Sequence, residues 1–191
     1  MYRELVVASA VMQGALELAR RAARSSTNLL ITGDPGVGKT MLARWAASAG
    51  DALVIDELAE LTLEDQAALL ASLDAPGRPR VIAATREPGA LRPDLYYALS
   101  VIKIRIPPLR ERPDDIRALV AAFLARGARW LTIADEALRY LVDAPWEGNV
   151  RELASTIDRA VALCERSVIG IGDVSSVGPR VTPGNGLRTR A

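Results

Sequence analysis

Apolar residues fall along this chain in two kinds of pattern. Over residues 11–24, Val11, Ala15, Leu18 and Ala22 recur at steps of three and four, with Arg20, Arg21 and Arg24 mostly off that stripe. That period predicts an amphipathic helix, ended by Ser25-Ser26-Thr27. Elsewhere the apolar runs are short and unbroken: 28–32 (NLLIT), 52–55 (ALVI), 80–85 (RVIAAT) and 101–106 (VIKIRI). Runs of that length without alternation read as buried strands. Between them lie an Ala-rich helix at 39–49, closed by Gly50, and a helix at 62–74. Thr62 suits the N-cap of the latter, with Asp65 at its third position.

Pro107-Pro108 stops the alternation, since two prolines cannot continue a strand ladder. After it the pattern is helical only, at about 113–126, 134–143 and 149–166. The last helix carries Val150, Leu153, Ile157, Val161 and Cys164 on one face, which reads Cys164 as a small buried hydrophobe. From Pro179 the tail PRVTPGNGLRTRA has almost no apolar content and is expected to be disordered. The expected organisation is an α/β unit over 1–107, a small all-helical unit over 108–178 and a tail over 179–191. Strands alternating with helices predict three layers around a parallel sheet.

Composition narrows the chemistry. The chain has 191 residues, 50% hydrophobic and 25% charged, enough apolar content for a core. His is absent, which excludes the Ser-His-Asp and Cys-His arrangements and the commonest metal ligand. A single Cys excludes an internal disulfide and a thiolate zinc site. A net charge of +1 argues against strong nucleic-acid binding. Met1-Tyr2-Arg3-Glu4 lacks the start of a signal peptide. No stretch approaches the roughly 18–20 apolar residues of a membrane span, so a cytoplasmic protein is expected. Among all 24 Lys and Arg residues, only Lys39 and Lys103 are lysine.

One of those lysines sits in Gly33-Asp34-Pro35-Gly36-Val37-Gly38-Lys39-Thr40, between a predicted strand and a predicted helix. This is G-x-x-x-x-G-K-T in the context that a phosphate-binding loop requires. Its glycines allow a backbone nest of N–H groups, and the helix N-terminus adds partial positive charge. Lys39 would face the β- and γ-phosphates and Thr40 a magnesium ion; Met41, next in the helix, counts with the nucleotide-binding set. The 52–55 strand ends in Asp56-Glu57. Asp56 would hold the metal or its water, and Glu57 would polarise the attacking water. Thr85 ends the third strand, where it could sense the γ-phosphate. Arg151, in the first turn of the last helix, could reach back to the nucleotide; Arg92 and Asp94 lie where a neighbouring subunit would be faced.

The motifs GDPGVGKT, VIDE, VIAAT, LRPDLYYAL, IPPLRERPDDI and WEGNVREL occur in that order over residues 5–175. Together they resemble the AAA+ domain of bacterial sigma-54-dependent enhancer-binding transcription activators. The resemblance implies a P-loop NTPase core with a helical lid, and ATP hydrolysis with Mg2+ in a ring. It implies Lys39, Thr40, Asp56 and Glu57 as Walker residues, Thr85 as sensor I, Arg151 as sensor II, and an arginine supplied by the next subunit. The strand order would be 5-1-4-3 in the family's count: 101–106, 28–32, 80–85, then 52–55.

The departures from the family pattern are large. The segment that normally separates the Walker A helix from the Walker B strand is missing between Ala49 and Ala52. With it go the second strand, a polar switch residue and the GAFTGA loop that touches sigma-54, so direct contact with sigma-54 is not expected. A second loop is reduced to Asp74-Ala75-Pro76-Gly77-Arg78-Pro79. Arg86 stands where the family has Asn, and Ala98 replaces one of two arginines implicated in trans, Arg92 being the other. No receiver domain precedes residue 5 and no DNA-binding helix-turn-helix follows 175, by expectation. Two functions fit: an ATP-binding protein with weak or partner-dependent hydrolysis that regulates through protein partners, or a non-hydrolytic adaptor that docks into rings of full-length AAA+ relatives.

Overall fold

The computed structural model describes residues 5–48, 50–127 and 130–179. The expected disorder of the tail falls on 180–191, outside the described residues. In chain order the first half contains α1 (Ala10–Ala23), β1 (Leu29–Thr32), α2 (Lys39–Ala47), β2 (Ala52–Ile55), α3 (Leu63–Ser72), β3 (Arg80–Thr85), α4 (Pro93–Leu99) and β4 (Ile102–Arg105). The second half contains α5 (Pro113–Gly127), β5 (Thr132–Ile133), α6 (Asp135–Asp143), α7 (Asn149–Leu163), β6 (Val168–Ile169) and α8 (Ile171–Ser175).

The four longer strands form a parallel sheet in the order β2-β3-β1-β4. This is the expected order, with β2 at an edge where the family's second strand would pair. The two central strands are buried on both faces, as their unbroken apolar runs require. β2 is only half-buried, and Leu53 is 47% exposed. One face of the sheet packs with α1 and α2 around Leu29, Ile31, Leu42, Ile82 and Ile104. The other packs with α3 and α4 around Leu30, Val81, Leu95 and Leu99. A separate core forms around Trp146, Ile116, Leu141, Leu153 and Ile157. The apolar residue before Pro107 belongs to the sheet's core and the one after Pro108 to this second core.

Three expectations need correction. The buried face of α1 is Met12, Ala15, Ala19 and Ala22; Val11 is 48% exposed and Leu18 37%. The helix lies close against α2 and β4, where alanines fit and branched side chains do not. Its rotation is pinned by Asp115, which accepts from the Ala8 and Ser9 amides at 2.7 Å each and from the Ser9 hydroxyl at 2.9 Å. Second, the later half is not helical only: β5 and β6 pair in a two-residue parallel ladder. Third, the predicted helices run long at their ends: α2 stops at Ala47, α3 at Ser72 and α7 at Leu163. Thr62 caps α3 as expected, accepting from the Asp65 amide at 3.1 Å. Cys164 is buried and free.

Arg80, at the start of β3, ties the sheet to both helices on one face. Its guanidinium is buried and donates to Ala22 O at 2.6 Å and Ala46 O at 2.8 Å, carbonyls in the last turns of α1 and α2. Burial lowers its pKa. The partial negative charge at two helix C-termini takes the place of a carboxylate partner. Replacing Arg80 with Met removes the donor to Ala46 O, while Ala22 O keeps the Ser25 amide and hydroxyl; the loss is predicted to cost about 1–3 kcal/mol in urea unfolding, with Arg80→Lys recovering part.

Candidate functional site

The loop from Gly33 to Gly38 leaves β1 and enters α2 at the C-terminal edge of the sheet. Gly33, Gly36 and Gly38 have φ of 150°, 78° and 108°. A Cβ on Gly33 would lie 2.6 Å from Ile106 O, and one on Gly36 would lie 2.3 Å from Gly148 O. Backbone approach and conformation therefore both demand glycine there. Val37 is buried beside the sheet. Lys39 is 4% exposed; its ammonium donates to Gly33 O at 3.1 Å and Asp34 O at 3.3 Å and pairs with Glu57 at 3.2 Å.

Thr40 donates its hydroxyl to Asp56 at 2.8 Å, so the two groups expected to share a metal are neighbours. Asp56 also accepts from the Glu57 amide. Glu57 has a positive φ of 47°, a conformation that costs a non-glycine residue of order 1–3 kcal/mol and clusters at functional sites. Among the described residues no group of three or more carboxylate or thiol side chains could hold a metal alone. Two oxygen ligands fit magnesium, which usually takes one or two carboxylates plus substrate phosphates. Met41 is 39% exposed on the first turn of α2.

Thr85 is fully buried at the end of β3, one strand from the loop, and its hydroxyl accepts from the Glu87 amide at 3.3 Å. Arg151 lies against the loop: its Cβ is 3.3 Å from the position of a Cβ on Gly36, and with Pro35 and Gly148 it lines an open hollow. Arg92 does not join this group. It is bound in a fork to Asp94, at 3.1 and 2.6 Å, beside the N-terminus of α4. The buried Gln66 fixes the Arg92 backbone by accepting its amide at 2.9 Å.

Sequence reasoning missed two residues. Asn149, at φ 55°, donates to Pro35 O at 2.9 Å and accepts from the Leu109 amide at 2.8 Å. Arg112 is 3% exposed; it donates to Val37 O at 2.8 Å and pairs with Asp115 at 3.4 Å. Burial pushes the Arg112 pKa down and Asp115 opposes that. These residues lie within the RERPDDI and EGNVREL motifs, but nothing in the sequence indicates that they bind the loop's backbone.

The family model described as the Sigma-54 interaction domain matches residues 5–51, and the AAA+ ATPase lid domain matches 110–180. A formate hydrogenlyase transcriptional activator of Salmonella typhimurium is 34% identical over 78% of this chain and 25% of its own length. The chain belongs to the AAA+ family of sigma-54 interaction domains. An uncharacterized protein encoded in the HyuA 5' region of a Pseudomonas strain is 31% identical over 91% of this chain and 83% of its own. That alignment runs over 245 positions, against 191 residues here, so the relative carries residues without a counterpart. The Sigma-54 match ends at residue 51, one before β2, where the family's longer segment is missing. NtrX from Brucella abortus, solved with ADP, superposes with a TM-score of 0.75 at 22% identity over 89% of this chain and 55% of that one. That likeness places the fold among AAA+ P-loop ATPases. The chain thus spans about a quarter of the Salmonella activator and half of NtrX.

The Arg92 fork gives a direct prediction. Its hydrogen bond, followed by that of the Leu95 amide, lowers the Asp94 pKa from 3.8 to about 2. A depressed carboxylate pKa stabilises above the ordinary value, and that contribution disappears as pH falls through the folded pKa. Carboxyl NMR should find Asp94 ionised at about pH 3, and Arg92→Ala should raise its midpoint, with the remaining Leu95 amide bond still holding it down.

Proposed function

We propose that this AAA+ domain binds Mg-ATP at the Gly33–Thr40 loop, hydrolyses it weakly or only with a partner, and regulates through protein contacts. The observation that carries the reading is the joining of Lys39, Thr40, Asp56 and Glu57 at one end of the sheet. In this reading the backbone of 33–38 cradles the phosphates and Lys39 neutralises them. Thr40 and Asp56 hold magnesium, which supplies charge to the phosphate oxygens. Glu57 orients the attacking water, Thr85 reports on the γ-phosphate, and Arg151 reaches the nucleotide from the lid over 108–178. Oligomerisation brings Arg92 to a neighbour's site. Magnesium, hydrolysis and the ring are parts of this proposal.

The second reading, a non-hydrolytic adaptor for rings of AAA+ relatives, is favoured by one pair of observations. Arg92 is held by Asp94 within its own chain, and Ala98 offers no cation beside it. An arginine finger contributes about 10³–10⁵ in rate, so its loss leaves binding without turnover. The missing GAFTGA loop disfavours direct contact with sigma-54 in either reading.

Steady-state ATPase activity measured across protein concentration, with mass by light scattering with and without an ATP analogue, separates them. The first reading expects turnover per chain to rise as mass rises. A monomer that binds without turnover sinks it and selects the adaptor. In both, Lys39→Ala should weaken binding of a fluorescent ATP analogue by about tenfold or more; unchanged binding removes the nucleotide site itself.

A further inference from the structure

We infer that Arg112 and Asn149 are positioning residues of the phosphate loop, aiming its N–H groups by holding its carbonyls from behind. The inference rests on the nucleotide reading above and adds what sets the strength of that site.

Three successive carbonyls of the loop are held by donors from the later half of the chain. Asn149 Nδ2 binds Pro35 O at 2.9 Å, the Val150 amide binds Gly36 O at 3.0 Å, and Arg112 Nη2 binds Val37 O at 2.8 Å. Every peptide bond among the described residues is trans. In a trans peptide the C=O of one residue and the N–H of the next point in opposite directions within one plane. A donor that pulls the Pro35 carbonyl toward the lid therefore turns the Gly36 N–H away from it. A donor on Val37 O does the same for the Gly38 N–H. Neither N–H has an acceptor among the described residues. Gly36 and Gly38 have positive φ, so their backbone follows the pull without a Cβ penalty.

Both holders are themselves held. Asn149 is 1% exposed and its carbonyl oxygen is engaged by the Leu109 amide. Arg112 is braced by Asp115, whose two oxygens also bind Ala8 and Ser9 ahead of α1. The loop's donors are thus fixed by a buried framework that joins the segment before α1, the turn before α5 and the start of α7. Movement of the lid would release the carbonyls and let the two N–H groups swing out of line. Phosphate affinity and lid position are coupled through three hydrogen bonds.

The test is Mg-ATP and adenosine binding to Arg112→Met, Arg112→Lys and Asn149→Gly, with thermal unfolding of each. Gly is chosen at 149 because it keeps the positive φ. Arg112→Met and Asn149→Gly should each weaken Mg-ATP by about tenfold, the range for a lost hydrogen bond to a charged group. Adenosine, which has no phosphate, should bind as to the parent. Arg112→Lys keeps the charge and one donor and should recover part of the loss. The loss should persist at about 1 M salt, where a mere change of charge is screened. Amide hydrogen exchange at Gly36 and Gly38 in nucleotide-free protein should speed up in both disruptive variants.

Lys39→Ala is the reference. If it loses Mg-ATP while both variants keep it, the nucleotide site stands and this inference is overturned. Equal loss of ATP and adenosine, tracking a fall in melting temperature, also overturns it, because the residues then only hold the fold. If Lys39→Ala binds Mg-ATP normally, the nucleotide reading fails and this inference fails with it; the exchange rates then report only loop geometry. Where Arg112→Met does not fold, Arg112→Lys and Asn149→Gly decide.

Discussion

The structure turns on the carbonyl groups of residues 33–37. A loop that offers its N–H groups to a ligand leaves its carbonyls facing the protein, where each needs a donor. Here all five have one: Lys39 serves Gly33 and Asp34, and Asn149, Val150 and Arg112 serve Pro35, Gly36 and Val37. The last three donors are 75 to 114 residues away along the chain, so the loop cannot be formed by its own sequence alone. This requirement explains why the glycines sit hard against Ile106 and Gly148. It also explains the buried charge of Arg112, whose cost is offset in part by Asp115 and by the carbonyl it binds, its Nε being buried without a partner among the described residues.

The same constraint bears on what the chain can lose. The family's segment between the Walker A helix and the Walker B strand contributes no donor to the loop here, and its loss leaves the five bonds intact. The connection also closes without strain on topology. α2 lies over β3, and its C-terminus arrives beside the start of β2, only a few residues later. The crossover from β1 to β2 therefore passes over the strand between them, as parallel sheets require. The visible mark of the loss is an edge strand, half-buried, with Leu53 facing outward.

The strands were legible because each is a short unbroken apolar run, and β2 and β3 match their predicted limits residue for residue. Thr62 was legible because a cap is a local device. The face of α1 was not. Val11 and Leu18 are more apolar than Ala19, but close packing against α2 selects volume over hydropathy, and the Asp115 bonds choose the rotation. β5 and β6 have two residues each, too few for any period. At the site, Lys39, Thr40, Asp56 and Glu57 were readable from spacing, and the structure brings them together. Thr85 stands one strand away, and Arg92 stands apart. Arg112 and Asn149 were not readable, because their partners are backbone atoms, which leave no trace in side-chain pattern.

If the loop binds Mg-ATP, the Lys39–Glu57 pair decides the order of events. One ammonium cannot neutralise phosphate while remaining fully committed to Glu57 and two carbonyls. Phosphate entry would draw Lys39 toward the nucleotide and free Glu57, so the cation and the water-orienting carboxylate become available in one exchange. The positive φ of Glu57 holds that carboxylate close to Asp56 and the sheet edge throughout. What the exchange does not supply is positive charge on the far side of the γ-phosphate. Within one chain, Arg151 is the only unengaged cation placed against the loop among the described residues, while Arg92 is tied to Asp94. A transition state that spreads charge over three oxygens needs that second side neutralised. In the reading proposed above, such a site binds more readily than it turns over, and the further charge would come from another chain.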